Sequence, residues 1–436
     1  MAEGLSPWLA LYARSRPVHR LEGARRADVC VIGGGIAGIA TLYQGLKTTE
    51  KAFILLEADK VGHGATGHNA GQAVDRFERP LSSLATEFGT HAAGSLQAEV
   101  TATWPMLEEL CAYAGVELVQ VQGRTAITEG WHLDRLLGDR EVMHRAGLEG
   151  DDIILAEDSL LLSATEAGPV RLVPRRQIDV MRLRKPGDCE GVAFSRRGCV
   201  NSSLLAESLV EKLLTEYPGR LQVHENSAAT DISFGEDLTI NSAGGQVTCA
   251  NAVLCINGYG ASPINGSEGM RCTSIQGMVA CMLGYFDLQR EAPAVLTHLP
   301  AREGYYFYIT RRTTEQGDLV CVGGPERKLK EGERFAHRAD LVPGGREEIH
   351  RFLRDAVPGY VHQEEHPFFW SGLMGYTGSG VRLVGPHPEE TRLLLNLGCN
   401  GIGILPSVAA AGRIAAHLRG EDPPPSLFEP GRQNPQ

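Results

Sequence analysis

The chain has 436 residues, 42% of them hydrophobic and 22% charged, with 52 Gly and 23 Pro, a composition that excludes disordered, collagenous and fibrous classes. Its length predicts two or three domains and a core large enough to fold as a soluble protein without disulfide staples. A formal net charge of -11 offers no attraction to phosphate backbones or anionic lipid, so nucleic acid is not an expected partner.

The ten cysteines form no CxxC and no Cys/His pairing at zinc spacing; they read as reduced, mostly buried thiols of a cytoplasmic protein, with no metal site. Residues 1–27 hold no apolar run of signal-peptide length, and the Arg-rich stretch Arg14 to Arg26 reads as part of a leader lying over the surface rather than a transit peptide. Val29 to Leu46 and Leu393 to Gly412 approach membrane-spanning length without charge, but glycines break both. Each is a strand, loop, helix unit, and no transmembrane segment is expected.

In chain order, Asp28 to Ile32 is an apolar run suited to a buried parallel strand, Ile36 to Lys47 a helix, and Ala52 to Glu57 a second buried strand. That is the right-handed crossover unit, which sets its Gly-rich turn at the ligand-binding edge of a parallel sheet. A helical stretch is predicted from Leu81 to Ala114, then a mixed region to Arg197, then a helix from an Asn201 N-cap to Tyr217. Leu221 to His224, Asp231 to Phe234 and Val247 to Ile256 read as strands. From Ala261 to Trp370, runs such as Tyr305 to Ile309 and Leu319 to Val322 predict an antiparallel sheet. Leu393 to Leu397 returns to the parallel theme, with a helix from Ser407 to Leu418. The expected fold is α/β: a Rossmann-like nucleotide domain (28–80, 198–260 and 385–420) interleaved with an α+β substrate domain (81–197 and 261–384), flanked by the 1–27 leader and a flexible 421–436 tail.

Gly33-Gly-Gly35-Ile36-Ala37-Gly38 matches GxGxxG directly between strand and helix, where the glycines allow a tight turn, close approach of a pyrophosphate and close helix packing. The helix amides and dipole favour an anion there. Glu57, 24 residues after Gly33 and next to Ala58, can accept from both ribose hydroxyls, and its charge would repel a 2'-phosphate. A second small-residue loop, Gly62 to Gln72, can lie against a flat cofactor ring, which NAD enzymes do not need.

With these motifs the sequence resembles the D-amino-acid oxidase superfamily of flavoproteins, the group containing glycine oxidase, sarcosine oxidase, dimethylglycine dehydrogenase and γ-glutamylputrescine oxidase. The resemblance covers most of the chain. It extends to Val253 to Gly258 and to the C-terminal pattern Trp370-Ser-Gly-Leu-Met-Gly-Tyr-Thr377, Leu383-Val-Gly385 and Leu394 to Leu405. The resemblance implies FAD as cofactor, with Ala65 and Thr66 on its diphosphate, Ala70, Gly71 and Gln72 beside the flavin ring, and Asn257 and Gly258 on the strand closing over the nucleotide. It carries Cys399, Asn400, Gly401, Ile402, Gly403, Ile404 and Leu405 past the pyrimidine edge of the flavin, into a helix whose positive end steadies reduced flavin. His68 and Asn69 fall where dimethylglycine dehydrogenase has His-Ala in a His-Ala-Ala-Gly run whose histidine bonds the flavin. A covalent histidyl flavin and a simple hydrogen-bonding histidine are both open readings.

The departures concern the substrate. In glycine oxidase the residues similar to Met374 and Gly401 are arginines, the first of which clamps a substrate carboxylate; in sarcosine oxidase a Lys corresponds to Leu405. A thioether cannot supply that clamp, so small α-amino acids are disfavoured unless another arginine, Arg76 or Arg382, substitutes. Family chemistry implies hydride transfer from a carbon beside a neutral amine to flavin N5, followed by reoxidation by oxygen or another acceptor. Tyr306 and Tyr308, one pitch apart on a predicted strand, and Met374 with Met278 are the candidate pocket and catalytic residues; the plain alternative places them in the core. Oxidation of a hydroxyl on the same fold, and a non-catalytic flavin-fold subunit, are the competing functions.

Overall fold

The computed structural model of the protein describes residues 4–12, 14–162, 170–181, 187–261, 275–288, 295–298, 306–330, 332–336, 342–357, 360 and 368–433. Val29 to Ile32 and Phe53 to Leu56 are buried at every position, so the strands that contain them need cover on both faces of their sheet. The strand Gly23–Ile32 pairs in parallel with Phe53–Leu56 on one side and Gly245–Leu254 on the other. Leu221–His224 and Leu393–Leu397 extend the sheet in parallel at either side, and Leu383–Pro386 closes one edge antiparallel.

Alternation decides what covers each face. Val29, Val31, Phe53 and Leu55 pack under the helices Ile36–Thr48, Ser202–Glu216 and Ile404–Leu418. Cys30, Ile32, Ile54 and Leu56 pack under the hairpin Ala229–Phe234 and Leu238–Ser242. Helix Ile404–Leu418 buries Ala409, Ala410, Ala411, Ala415 and Ala416, whose small side chains suit close approach to helix Ile36–Thr48.

A second, ten-stranded sheet runs in the order Phe368–Tyr376, Gln276–Phe286, Gly317–Lys328, Phe307–Thr314, Val295–His298, Val119–Ile127, Gly191–Cys199, Asp152–Ala156, Arg171–Val173. The two-residue strand Gln72–Ala73 pairs with Gly191–Cys199 and brings the small-residue loop to this sheet. The sheet is not wholly antiparallel as expected: Val295–His298 runs parallel to Val119–Ile127, and Asp152–Ala156 parallel to Arg171–Val173.

Four local expectations change. The predicted helix over 81–114 is three helices, Leu81–Phe88, Thr90–Thr101 and Trp104–Ala114, interrupted at Gly89, whose φ of 90° no helix interior accommodates. The first strand starts at Gly23, and the supposed surface leader is built in: Ser6 and Trp8 are buried, and Arg14 and Arg16 both pair with Glu207 and Glu225. The tail is packed rather than flexible through residue 433, with Phe428 fully buried, its carbonyl accepting from the Val384 amide at 2.7 Å, and Gln433 donating to the Arg382 carbonyl at 2.8 Å. The strand expected from Tyr305 begins at Phe307, and Tyr305 and Cys272 lie outside the described residues. Among the described residues, no helix is long and apolar enough to cross a membrane.

Trp370 is fully buried on the second sheet and its indole N–H donates to the His68 carbonyl at 3.2 Å, tying that sheet to the small-residue loop. Trp370→Phe leaves the carbonyl buried without that donor, so a loss of about 1–3 kcal/mol is expected in chemical denaturation; an unchanged midpoint would contradict the role given to this bond.

Candidate active site

The strand Gly23–Ile32 ends in a turn stripped of side chains. Gly33 has φ 108°, and a Cβ there would stand 2.6 Å from the Cys255 carbonyl oxygen; a Cβ on Gly38 would stand 1.9 Å from the Gly33 carbonyl oxygen. Only glycine lets helix Ile36–Thr48 leave the strand this closely. Two side chains hold the turn. The Glu57 carboxylate accepts the Gly34 amide at 2.6 Å and the Asp59 amide at 2.9 Å, and the Thr66 hydroxyl accepts the Ile36 amide at 2.9 Å. Burial pushes the Glu57 carboxyl above its ordinary range while both amides pull it back. Ala58 follows on the exposed rim.

The small-residue loop is pinned through its carbonyls by four donors, two from the short N-terminal helix Pro7–Ala10 and its cap and one from each of two strands of the second sheet. Ser6 donates to Gly67, the Trp8 indole to Asn69 at 2.6 Å, Trp370 to His68, and Thr310 to Ala70 at 2.7 Å. Inside the loop, Asn69 donates to the Thr66 carbonyl at 3.0 Å and accepts the Gly71 amide at 2.7 Å. The His68 ring donates from Nδ1 to the Gly64 carbonyl at 3.0 Å.

The turn near residue 400 is coupled to the strand end at 254. Asn257, in the left-handed region at φ 45°, accepts the Cys399 amide at 2.9 Å, while Asn400, also at φ 45°, accepts the Thr377 amide at 2.8 Å. A Cβ on Gly258 would stand 2.5 Å from the Met374 carbonyl oxygen, so this residue too is a point of backbone contact. The last helix begins at Ile404, a turn before the expected Ser407, with Gly403 as N-cap, and Leu405 is wholly in the core.

Gln72 and Ile402, from two stretches assigned to flavin, share a cavity of about 80 Å³ with Glu78, Arg197 and Tyr306. Tyr308 and Met374 are not among its walls. The Tyr308 ring lies beside Tyr306, centroids 5.7 Å apart, and over Gly323 of the neighbouring strand. Met374 stands in register with Met278. Of the substitute arginines, Arg76 is bound to Asp75 and Asp151, both at 2.6 Å, and Arg382 is wholly buried on Asn396 outside the cavity.

Two features of the cavity were not read from the sequence. The Tyr376 hydroxyl bridges both oxygens of Glu78 at 2.8 and 2.9 Å, and a Cβ on Gly401 would fall 1.7 Å from Glu78 Oε2. Arg197 is the other. Strand alternation could have found it, because Arg196 faces out, stacked on Trp104, whereas Arg197 shares the inward face with Ser195 and Cys199. For Glu78 there is no such pattern, since its partners lie about 300 residues away.

A bare strand-to-helix turn at a parallel sheet edge, an acid just after the second strand, and a small-residue loop whose Gln72 reaches a cavity form together the layout of a dinucleotide-binding protein. The family model described as FAD dependent oxidoreductase, DAO, matches residues 28–418, and the chain belongs to this family. It is an FAD-dependent oxidoreductase. The glycine oxidase of Bacillus licheniformis is 24% identical over 412 residues, 91% of this chain and 94% of that protein. Gamma-glutamylputrescine oxidoreductase of Escherichia coli K12 is 33% identical over 99 residues, a match spanning only 22% of each chain. Among solved structures, glycine oxidase from Geobacillus kaustophilus superposes with TM-score 0.70 at 18% identity, covering 93% of this chain and 98% of that one. L-proline dehydrogenase from P. horikoshii superposes at 0.71 with 13% identity, covering 94% and 98%. The glycine turn, with Glu57 and Thr66 holding its amides, is a fit for the diphosphate and ribose of FAD.

Burial pushes Glu78 up to about 8 and Glu326 up to about 7 from an ordinary 4.5. The native state therefore keeps protons that the unfolded chain sheds near 4.5, so this contribution to stability is complete below about pH 4.5 and is lost as pH rises through 7 to 8. Glu78→Gln should flatten that fall in a pH series of melting temperatures; an unaltered slope between pH 6 and 9 would refute the assignment.

Proposed function

We propose that this enzyme oxidises a C–N bond of an amine that is not a simple α-amino acid. The observation that carries the reading is the Glu78 carboxyl group, which occupies the space a side chain at 401 would take, where an arginine anchor is expected from glycine oxidase. A neutral Met374 and an acidic Glu78 form a site suited to an ammonium group rather than to an α-carboxylate. Bound FAD supplies the two-electron acceptor for hydride from the carbon bearing nitrogen. The chain's own contribution is placement. Glu78, steadied by Tyr376, is protonated in the empty site at neutral pH; the ammonium of an incoming amine favours its ionised form, so it gives that proton to solvent on pairing and takes one up from the amine as the neutral amine settles in the cavity. Tyr306, half-buried on the wall, limits the room left for water.

His68 is read as a hydrogen-bonded loop residue rather than a covalent attachment, because its Nδ1 is held by the Gly64 carbonyl. Acid precipitation should then release FAD into the supernatant, whereas a yellow pellet would assign a covalent bond.

Anaerobic titration of the holoenzyme with amines, α-amino acids and hydroxy acids tests the main reading. Bleaching by amines is expected, and bleaching confined to α-amino acids or to hydroxy acids would overturn it. Glu78→Gln should lower kcat/KM for the amine by roughly 10- to 100-fold, the scale of one charge-assisted hydrogen bond, while flavin content holds.

A further inference from the structure

Among the described residues, the guanidinium of Arg197 makes no hydrogen bond and no ion pair within 4.0 Å, although the residue is only 8% exposed and lines the cavity. Five N–H donors and a full charge are seldom left so in a protein interior, because an ion withdrawn from water needs a partner to offset the hydration it gives up. The nearby carboxylates are already committed. Asp75 and Asp151 both bind Arg76, and Asp75 also accepts the Trp104 indole N–H at 3.1 Å.

The position is prepared by the sequence. A Cβ on Gly123 of the neighbouring strand would stand 2.0 Å from Arg197 Cγ and 2.9 Å from its Cβ, so the glycine makes the bed on which the arginine stem lies. Glu78, Tyr306 and Arg197 line the same cavity, and no ion pair within 4.0 Å joins Glu78 to Arg197, so the carboxyl and the guanidinium are each open to a different part of one ligand.

We infer that Arg197 is the specificity-determining anchor for a carboxylate that the substrate carries remote from its oxidised nitrogen. This rests on the amine reading above and extends it: the substrate class is an amino acid whose nitrogen and carboxylate are separated by more than one carbon, with nitrogen toward Glu78 and carboxylate on Arg197. A monoanion fits the charge balance: Arg76, Arg135, Arg140 and Arg197 stand against Asp139 and Asp151 on the cavity wall and Asp75 paired to Arg76, which leaves one positive charge, and a phosphate dianion would overshoot it.

Calorimetric titration of the holoenzyme with butanoate, pentanoate and hexanoate, each against its amide, tests the anchor without turnover. The carboxylates should bind and the amides should not. Arg197→Met should weaken carboxylate binding by roughly 30-fold or more, and Gly123→Ala, which displaces the stem, should weaken it in the same direction. Without ligand, Arg197→Met should melt no lower than wild type, because it removes an unpaired buried charge. Equal carboxylate affinity in wild type and Arg197→Met, or no preference for carboxylate over amide in wild type, overturns the inference. In flavin bleaching, 5-aminopentanoate should outperform both pentylamine and 2-aminopentanoate, and Arg197→Met should abolish its advantage over pentylamine. Arg197-dependent carboxylate binding in an enzyme that no amine bleaches would leave the anchor standing and remove the amine reading. Bleaching by amines with no preference for the carboxylated one would do the reverse.

Discussion

The whole arrangement depends on one close approach, the passage of the backbone from strand to helix between Gly33 and Gly38 without a Cβ to hold the chains apart. The Gly33 carbonyl oxygen lies where a side chain at 38 would begin, and the Cys255 carbonyl oxygen where a side chain at 33 would begin. That contact fixes helix Ile36–Thr48 against the sheet and sets the helix Ile404–Leu418 that packs on it. Glu57 and Thr66 complete the constraint by accepting amides of the turn itself. The same contact keeps the start of the helix clear of side chains, with the positive end of its dipole directed at the turn.

What could be read from the sequence follows from how local each cause is. The first crossover unit is visible because its strands are short, uniformly apolar runs and its turn is made of consecutive glycines, so residues 28–57 carry their own instructions. The Asn201 cap is local in the same way, its side chain accepting the Leu204 amide three residues on at 3.0 Å. Ser6 and Trp8 were not legible, because they bind main-chain carbonyls 61 residues away, and a carbonyl has no sequence identity. The tail was misread for a related reason: its prolines suggest looseness, while Phe428 and Gln433 find partners on the strand Leu383–Pro386 and the residues before it. Glu78 with Tyr376 belongs to this class, whereas Arg197 obeys plain strand alternation.

The cavity differs from an anion-binding α-amino-acid site in how charge is distributed rather than in how much there is. Two arginines considered as replacements are consumed by structure, Arg76 by a pair of aspartates and Arg382 by Asn396. Arg197 and Glu78 line the same cavity without an ion pair between them, so a ligand is selected by the separation of its charges more than by their number. Tyr376 reinforces this by holding both oxygens of Glu78 in a single orientation.

The four donors that clamp the 67–70 carbonyls come from positions 6, 8, 310 and 370. During synthesis the first two leave the ribosome early, yet the last is added only after more than four-fifths of the chain has been made. The loop therefore gains its full set of clamps only late in the chain's synthesis, when the strand Phe368–Tyr376 has been made.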